Sequence, residues 1–212
     1  MNSARALQLP RVSWPWVIPP LVTAFVVLAH PIVDPWRTDV SGIAPIVVRN
    51  DVWLGVHLAL LALFPLCGLA LAHAVSGVQS TGARLARVML GIFCVVYAGF
   101  DTFAGLATGT IVRSVRDLGA AEQARTLLAV KNLFTGPING ALFMVGTTAW
   151  MIGAGAVACT LWKAGASRVP VVLIAIAALL LFLDHPAPFG PVTFGAVAVA
   201  LAWLAVAGPA KD

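Results

Sequence analysis

From Val88 to Val112 the chain runs through apolar and small residues with one charged side chain, Asp101, near the middle. Coiled as an α-helix at about 1.5 Å per residue, this run crosses the roughly 30 Å hydrocarbon core of a bilayer. A carboxylate at that depth is costly unless it is paired, protonated or bound to a cation, so it marks a functional position. Asp101 therefore constrains both what the chain folds into and where its chemistry lies.

The whole sequence agrees with a bilayer environment. It has 212 residues, 60% hydrophobic and 10% charged, where a soluble domain carries about 25% charged residues. At about 20 residues per crossing, that length accommodates roughly five to seven helices in one domain. Alternating strands with turn signals are absent, which excludes a β-barrel. The net charge of +5 does not point to nucleic acid, because the basic residues are scattered at the ends of apolar runs. Cys67, Cys94 and Cys159 each sit in an apolar run without CxxC spacing and read as small core residues.

The expected fold is all-α, a polytopic membrane protein of six transmembrane helices. The spans are 14–33, 52–74, 85–111, 133–162, 170–183 and 192–208. Pro19 and Pro20 should kink the first span or delay its start. An arginine-bearing start followed by apolar residues to Ala29 also fits a cleaved signal peptide over 1–29. Segment 34–52 is too polar and too broken by proline to span. Segment 113–132, with Leu118, Ala121, Leu127 and Leu128, has the pattern of an amphipathic surface helix.

Charge sets the orientation. With both termini inside, the inner segments hold Arg5, Arg11, Arg84, Arg87, Lys163, Arg168 and Lys211 against Asp212 alone. The outer segments balance their basic residues with Asp34, Asp39, Asp51, Asp117, Glu122 and Asp184. The positive-inside rule then places the N and C termini in the cytoplasm; the expected location is the plasma membrane.

On that topology His30, His57, Asp101 and Asn139 come to one level in the outer half of the membrane. Helix 5 is short, so Asp184 and His185 should be drawn down toward the same level. Non-helical backbone at depth requires cover by protein or a watery cavity. Imidazole and carboxylate together are ligands for zinc or another transition metal, so His30, His57, Asp101, Asp184 and His185 form the expected metal set. Tyr97, one turn before Asp101, is a candidate proton donor. Plainer roles stand beside these. Asp101 can bond Asn139 or pair with Arg113, and His57 can be an interhelical hydrogen-bond partner. His73 lies at the opposite end. The spacings Gly105–Gly109 and Gly136–Gly140 match GxxxG and suggest close packing.

The stretches VHLALLALFPLCGLALAHAV, VVYAGFDTFAGLATGTIVR and LDHPAPFGP together resemble a group of uncharacterised bacterial six-helix membrane proteins. That resemblance covers most of the chain, implies a bacterial protein and carries no activity. The residues themselves leave three functional expectations. One is a metal-dependent enzyme acting on a lipid or other amphipathic substrate. Another is a proton- or cation-coupled transporter or binding protein. The last is a haem protein with His57 and His30 or His185 as axial ligands.

Overall fold

A computed structural model describes residues 12–34, 37 and 39–207. Arg5, Arg11, Lys211 and Asp212, which enter the orientation argument, and the start of the possible signal peptide lie outside the described residues. The helices are α1 (Ile18–Leu28), α2 (Ala44–Val48), α3 (Asn50–His73), α4 (Thr81–Phe100), α5 (Thr108–Ser114), α6 (Ala120–Phe134), α7 (Pro137–Lys163), α8 (Arg168–Leu183) and α9 (Phe189–Ala207). Between α4 and α5 the helix widens into a π segment, Asp101–Ala107, without interrupting its course. The described residues contain no strand.

Among the described residues, four stretches are long and apolar enough to cross a bilayer: Asn50–His73, Thr81–Ser114, Ala120–Lys163 and Phe189–Ala207. Trp14–Leu28 and Arg168–Leu183 are shorter apolar helices. The first expected span, 14–33, is thus cut back to a 3-10 turn and an eleven-residue helix. Its prolines occupy the first turn, where the missing N–H is not needed.

The packing order closes a ring. α3 lies against α4, α4 against α7, α7 against α8, α8 against α9, α9 against α1, and α1 against α3. Phe64, Phe93, Tyr97, Trp150 and Phe194 are fully buried inside this ring. Their rings touch in sequence, with centroid separations of 4.9 Å for Phe64–Tyr97, 4.9 Å for Phe93–Trp150 and 5.8 Å for Trp150–Phe194. The Trp150 indole, which cannot be left dry and unbonded, donates to the Ala177 carbonyl at 2.9 Å.

Local chemistry sets the helix ends. Ser80 caps α4 by accepting from the Ala83 amide at 3.1 Å. Gly165, at φ 81°, turns the chain after α7, and the Ala166 amide returns to the Leu161 carbonyl at 3.0 Å. At one end of the bundle Trp16 stacks on His73 at 4.8 Å. At the other end His30 meets His57, so α1 and α3 run antiparallel.

Beyond the His30 end sits a cap with its own small core. Within segment 34–52, expected not to span, Val40–Ile43 form a 3-10 turn, Ala44–Val48 form α2 and Asn50 begins α3. Asp39 caps the turn, and bonds from the Ser41 amide and hydroxyl hold its carboxyl below the ordinary range. Ile43, Ile46, Trp53, Val112 and Val130 pack together there, which buries one face of α6. A helix does form in 113–132, as α6, but of the expected apolar positions only Leu127 meets this cap, beside Val130, while Leu118 precedes the helix and Ala121 and Leu128 are exposed.

Candidate functional site

Three residues on one face of α3 read three acceptors on the opposing helix. Asn50 Nδ2 donates to the Gly109 carbonyl at 2.8 Å, and Trp53 Nε1 to the Gly105 carbonyl at 2.8 Å. His57 Nδ1 meets Asp101 Oδ1 at 2.6 Å. The donors are spaced three and four apart and the acceptors four apart, which is the same-face spacing of a helix on each side. Close approach makes the bonds possible. A Cβ on Gly109 would come within 2.7 Å of the Trp53 and Leu54 side chains, and one on Gly105 would fall on the His57 ring. The first GxxxG pair is therefore a packing surface, and its carbonyls serve as acceptors as well. The second is not: a Cβ on Gly140 meets nothing within 4 Å.

The π segment begins at Asp101 itself. Such widenings free backbone groups from the regular ladder and recur at functional sites. Here the Gly105 carbonyl inside it takes the Trp53 indole, and the Thr108 hydroxyl reaches back five residues to the Phe103 carbonyl at 3.4 Å.

The hydrogen-bond chain continues past His57. His57 Nε2 lies 3.2 Å from His30 Nε2, and His30 Nδ1 lies 2.8 Å from the Pro31 carbonyl. A carbonyl only accepts, so His30 Nδ1 carries a proton. In a neutral ring His30 Nε2 then accepts, and His57 donates to it from Nε2. His57 Nδ1 is left to share a third proton with Asp101. This gives three protons to His30, His57 and Asp101 together, a set with zero net charge wherever the last proton sits. Neutrality is how a 0% exposed carboxylate escapes the cost of isolation at depth. Asp101 Oδ2 has no partner.

His185 completes the cluster from the link between α8 and α9. Its ring centroid is 5.0 Å from that of His30 and 6.4 Å from that of His57. Both of its ring nitrogens are buried without a hydrogen bond. The link is tightly folded: the Gly190 amide donates to the Pro186 carbonyl at 3.1 Å, and a Cβ at Gly190 would overlap the His185 carbonyl. Asp184 stands apart. Its side chain is 53% exposed, and its Oδ1 accepts from the His185 amide at 2.7 Å.

A cavity of about 290 Å³ opens beside this cluster. His30, His57, His185, Trp53, Phe100, Phe134 and Phe143 line it, together with the buried Asn139 and the half-exposed Asp184. Asn139 donates to the Phe134 carbonyl at 2.6 Å, which leaves its Oδ1 buried and without a partner. Away from the cavity, the aromatic core of the ring fills the bundle.

Several expected roles fall differently. Asp101 bonds His57 and not Asn139, while Arg113 pairs with Asp51 at the exposed edge. Tyr97 is fully buried and its hydroxyl has no partner, so it is not bonded to Asp101. His73 lies at the far end of the bundle on Trp16. The expected metal set His30, His57, Asp101, Asp184 and His185 does not close around one point. Among the described residues no group of three or more His, Cys, Asp or Glu side chains is arranged to hold a metal ion. The Nδ1 atoms of His30 and His57 are committed to Pro31 and Asp101, and Asp184 turns back on its own link. At 3.2 Å between facing nitrogens, no porphyrin fits between His30 and His57. Asn50 and Trp53 are the site residues that sequence reasoning missed. Their signal is the polar face they share with His57 on α3.

No protein-family model, curated protein or solved structure matches this chain.

Proposed function

We propose that this is a proton-coupled binding or transport protein of the plasma membrane, in which Asp101, His57 and His30 exchange protons beside a ligand pocket. The observation that carries the reading is the continuous chain from the Pro31 carbonyl through His30 and His57 to Asp101, with its upper members in the pocket wall. An imidazole bonded through both nitrogens to titratable partners, as His57 is to His30 and Asp101, can pass a proton by exchanging tautomers. Intramembrane acids and histidines are the usual parts of proton relays in transporters.

The protein spans the membrane six times in this reading, with α1, α3, α4–α5, α7, α8 and α9 as the crossings and both termini cytoplasmic. The pocket then faces the outer side, under the cap of α2, α5 and α6. The aromatic core beneath it bars the inner side, which is the arrangement of a site open to one face at a time.

The test is a pH step applied to proteoliposomes adsorbed on a solid-supported membrane. The wild-type protein is expected to give a transient proton current that empty liposomes lack. Asp101→Asn, which accepts no proton at neutral pH, should abolish it while the protein remains folded. Equal currents from wild-type and empty liposomes would overturn the relay.

A further inference from the structure

We infer that the pocket takes a small organic cation, a protonated amine with an apolar substituent, held between the Asp184 carboxylate and a lining of aromatic rings. This deepens the binding half of the reading above and does not depend on the relay.

The charge pattern of the pocket gives the sign. Among the described residues no lysine or arginine lines it, and Asp184 is the one lining carboxylate. The histidine–aspartate chain contributes no net positive charge by the proton count given above. The C-terminal ends of α6 and α8, at Phe134 and Leu183, lie in its wall, and the N-terminal end of α7 opposes them through Asn139. A helix end carries about half an elementary charge, so two C-terminal ends against one N-terminal end leave a net negative end charge, of the same sign as the Asp184 carboxylate. An anion would meet a carboxylate and no cationic side chain.

The lining gives the class. Trp53, Phe100, Phe134 and Phe143 line the cavity, and aromatic rings attract ammonium groups, indole most strongly. Asn139 Oδ1 is buried and unpartnered because its amide is spent on Phe134. A buried acceptor without a donor is rare and marks a place for one. An N–H of a protonated amine satisfies it, which a quaternary ammonium could not. A ligand without the charge leaves the Asp184 carboxylate with only its His185 partner, and one without the N–H leaves Asn139 Oδ1 without a donor. The cavity of about 290 Å³ accommodates a ligand about the size of a single substituted ring.

The experiment compares three probes of one shape on the full-length protein in lipid nanodiscs, with empty nanodiscs as blanks: benzylamine, benzyl alcohol and benzoate. Calorimetry is expected to give benzylamine an affinity at least about tenfold above benzyl alcohol, with no binding of benzoate. Asp184→Asn should lower benzylamine affinity about tenfold and Asp184→Glu should restore most of it. Should Asp184→Asn fail to fold, Asn139→Leu supplies the second variant, with the same direction of loss. Binding of benzyl alcohol or benzoate as tight as that of benzylamine would overturn the inference, as would unchanged affinity in both variants. A pH-step current without charge discrimination removes the amine and leaves the relay. Discrimination without the current does the reverse.

Discussion

Gly105 lies so close to the His57 imidazole that a Cβ at position 105 would occupy the ring. The same glycine offers its carbonyl to Trp53, so one residue seats two α3 side chains. Substitution here therefore acts on the site through packing, before any change in its chemistry.

Gly105→Ala is expected to destabilise the folded protein by about 1–3 kcal/mol, the usual cost of overpacking a tight contact. Gly55→Ala and Gly99→Ala, where a Cβ meets nothing within 4 Å, should be neutral or gain up to about 1 kcal/mol from helix propensity. Thermal unfolding in one detergent compares the three. A Gly105 variant as stable as the other two would mean that α3 and the π segment are not in contact.

Asp101→Ala should destabilise more than Asp101→Asn. The alanine leaves His57 Nδ1 buried without a partner, at about 1–3 kcal/mol, whereas the asparagine amide can still donate to it. Chemical denaturation of the two variants gives the order. Equal stability would show that the bond at 2.6 Å contributes nothing to holding α3 and the π segment together.

Nitrogen-15 spectra of histidine-labelled protein read the tautomers directly. His30 is expected to carry its proton on Nδ1, because the Pro31 carbonyl can only accept. His57 should show a bonded nitrogen on both sides of its ring. A His30 ring protonated on Nε2 alone would reverse the direction of the whole chain.

Topology is tested by single cysteines in a background without Cys67, Cys94 and Cys159. Val48→Cys and Glu122→Cys, on exposed positions of the cap, should react with an impermeant maleimide in intact cells. Gln79→Cys, exposed in the turn between α3 and α4, should react only after permeabilisation. The opposite pattern would put the pocket on the cytoplasmic side.

Much of this architecture was legible in the chain itself. Apolar runs bounded by Trp14, Arg84, Lys163 and Arg168 mark helices because a membrane requires backbone groups to bond within the segment, and that requirement leaves a strong local pattern. Asp101 declared itself for the same reason: a lone acid in such a run has no local explanation. The drop in apolar character over 113–132 marked α6, since a helix lying on a cap needs one polar face.

Only the tertiary structure decided what those residues do together. That His57 comes nearest Asp101 follows from their similar depth on consecutive antiparallel helices, but the bond itself, Nδ1 to Oδ1, depends on the rotation of α3 against the widened turn at 101–107. The GxxxG spacing marks Gly105 and Gly109 as a packing pair, but that their carbonyls accept from Trp53 and Asn50 is fixed only by how α3 lies against the π segment and α5. His185 reaches the cluster through a link whose course is set by its contact with Gly190, not by any periodicity. The depth of the polar residues along the membrane is a one-dimensional quantity that sequence carries. Their direction around each helix, which determines whether they bond, pair or ligate, is fixed only when the six helices close their ring.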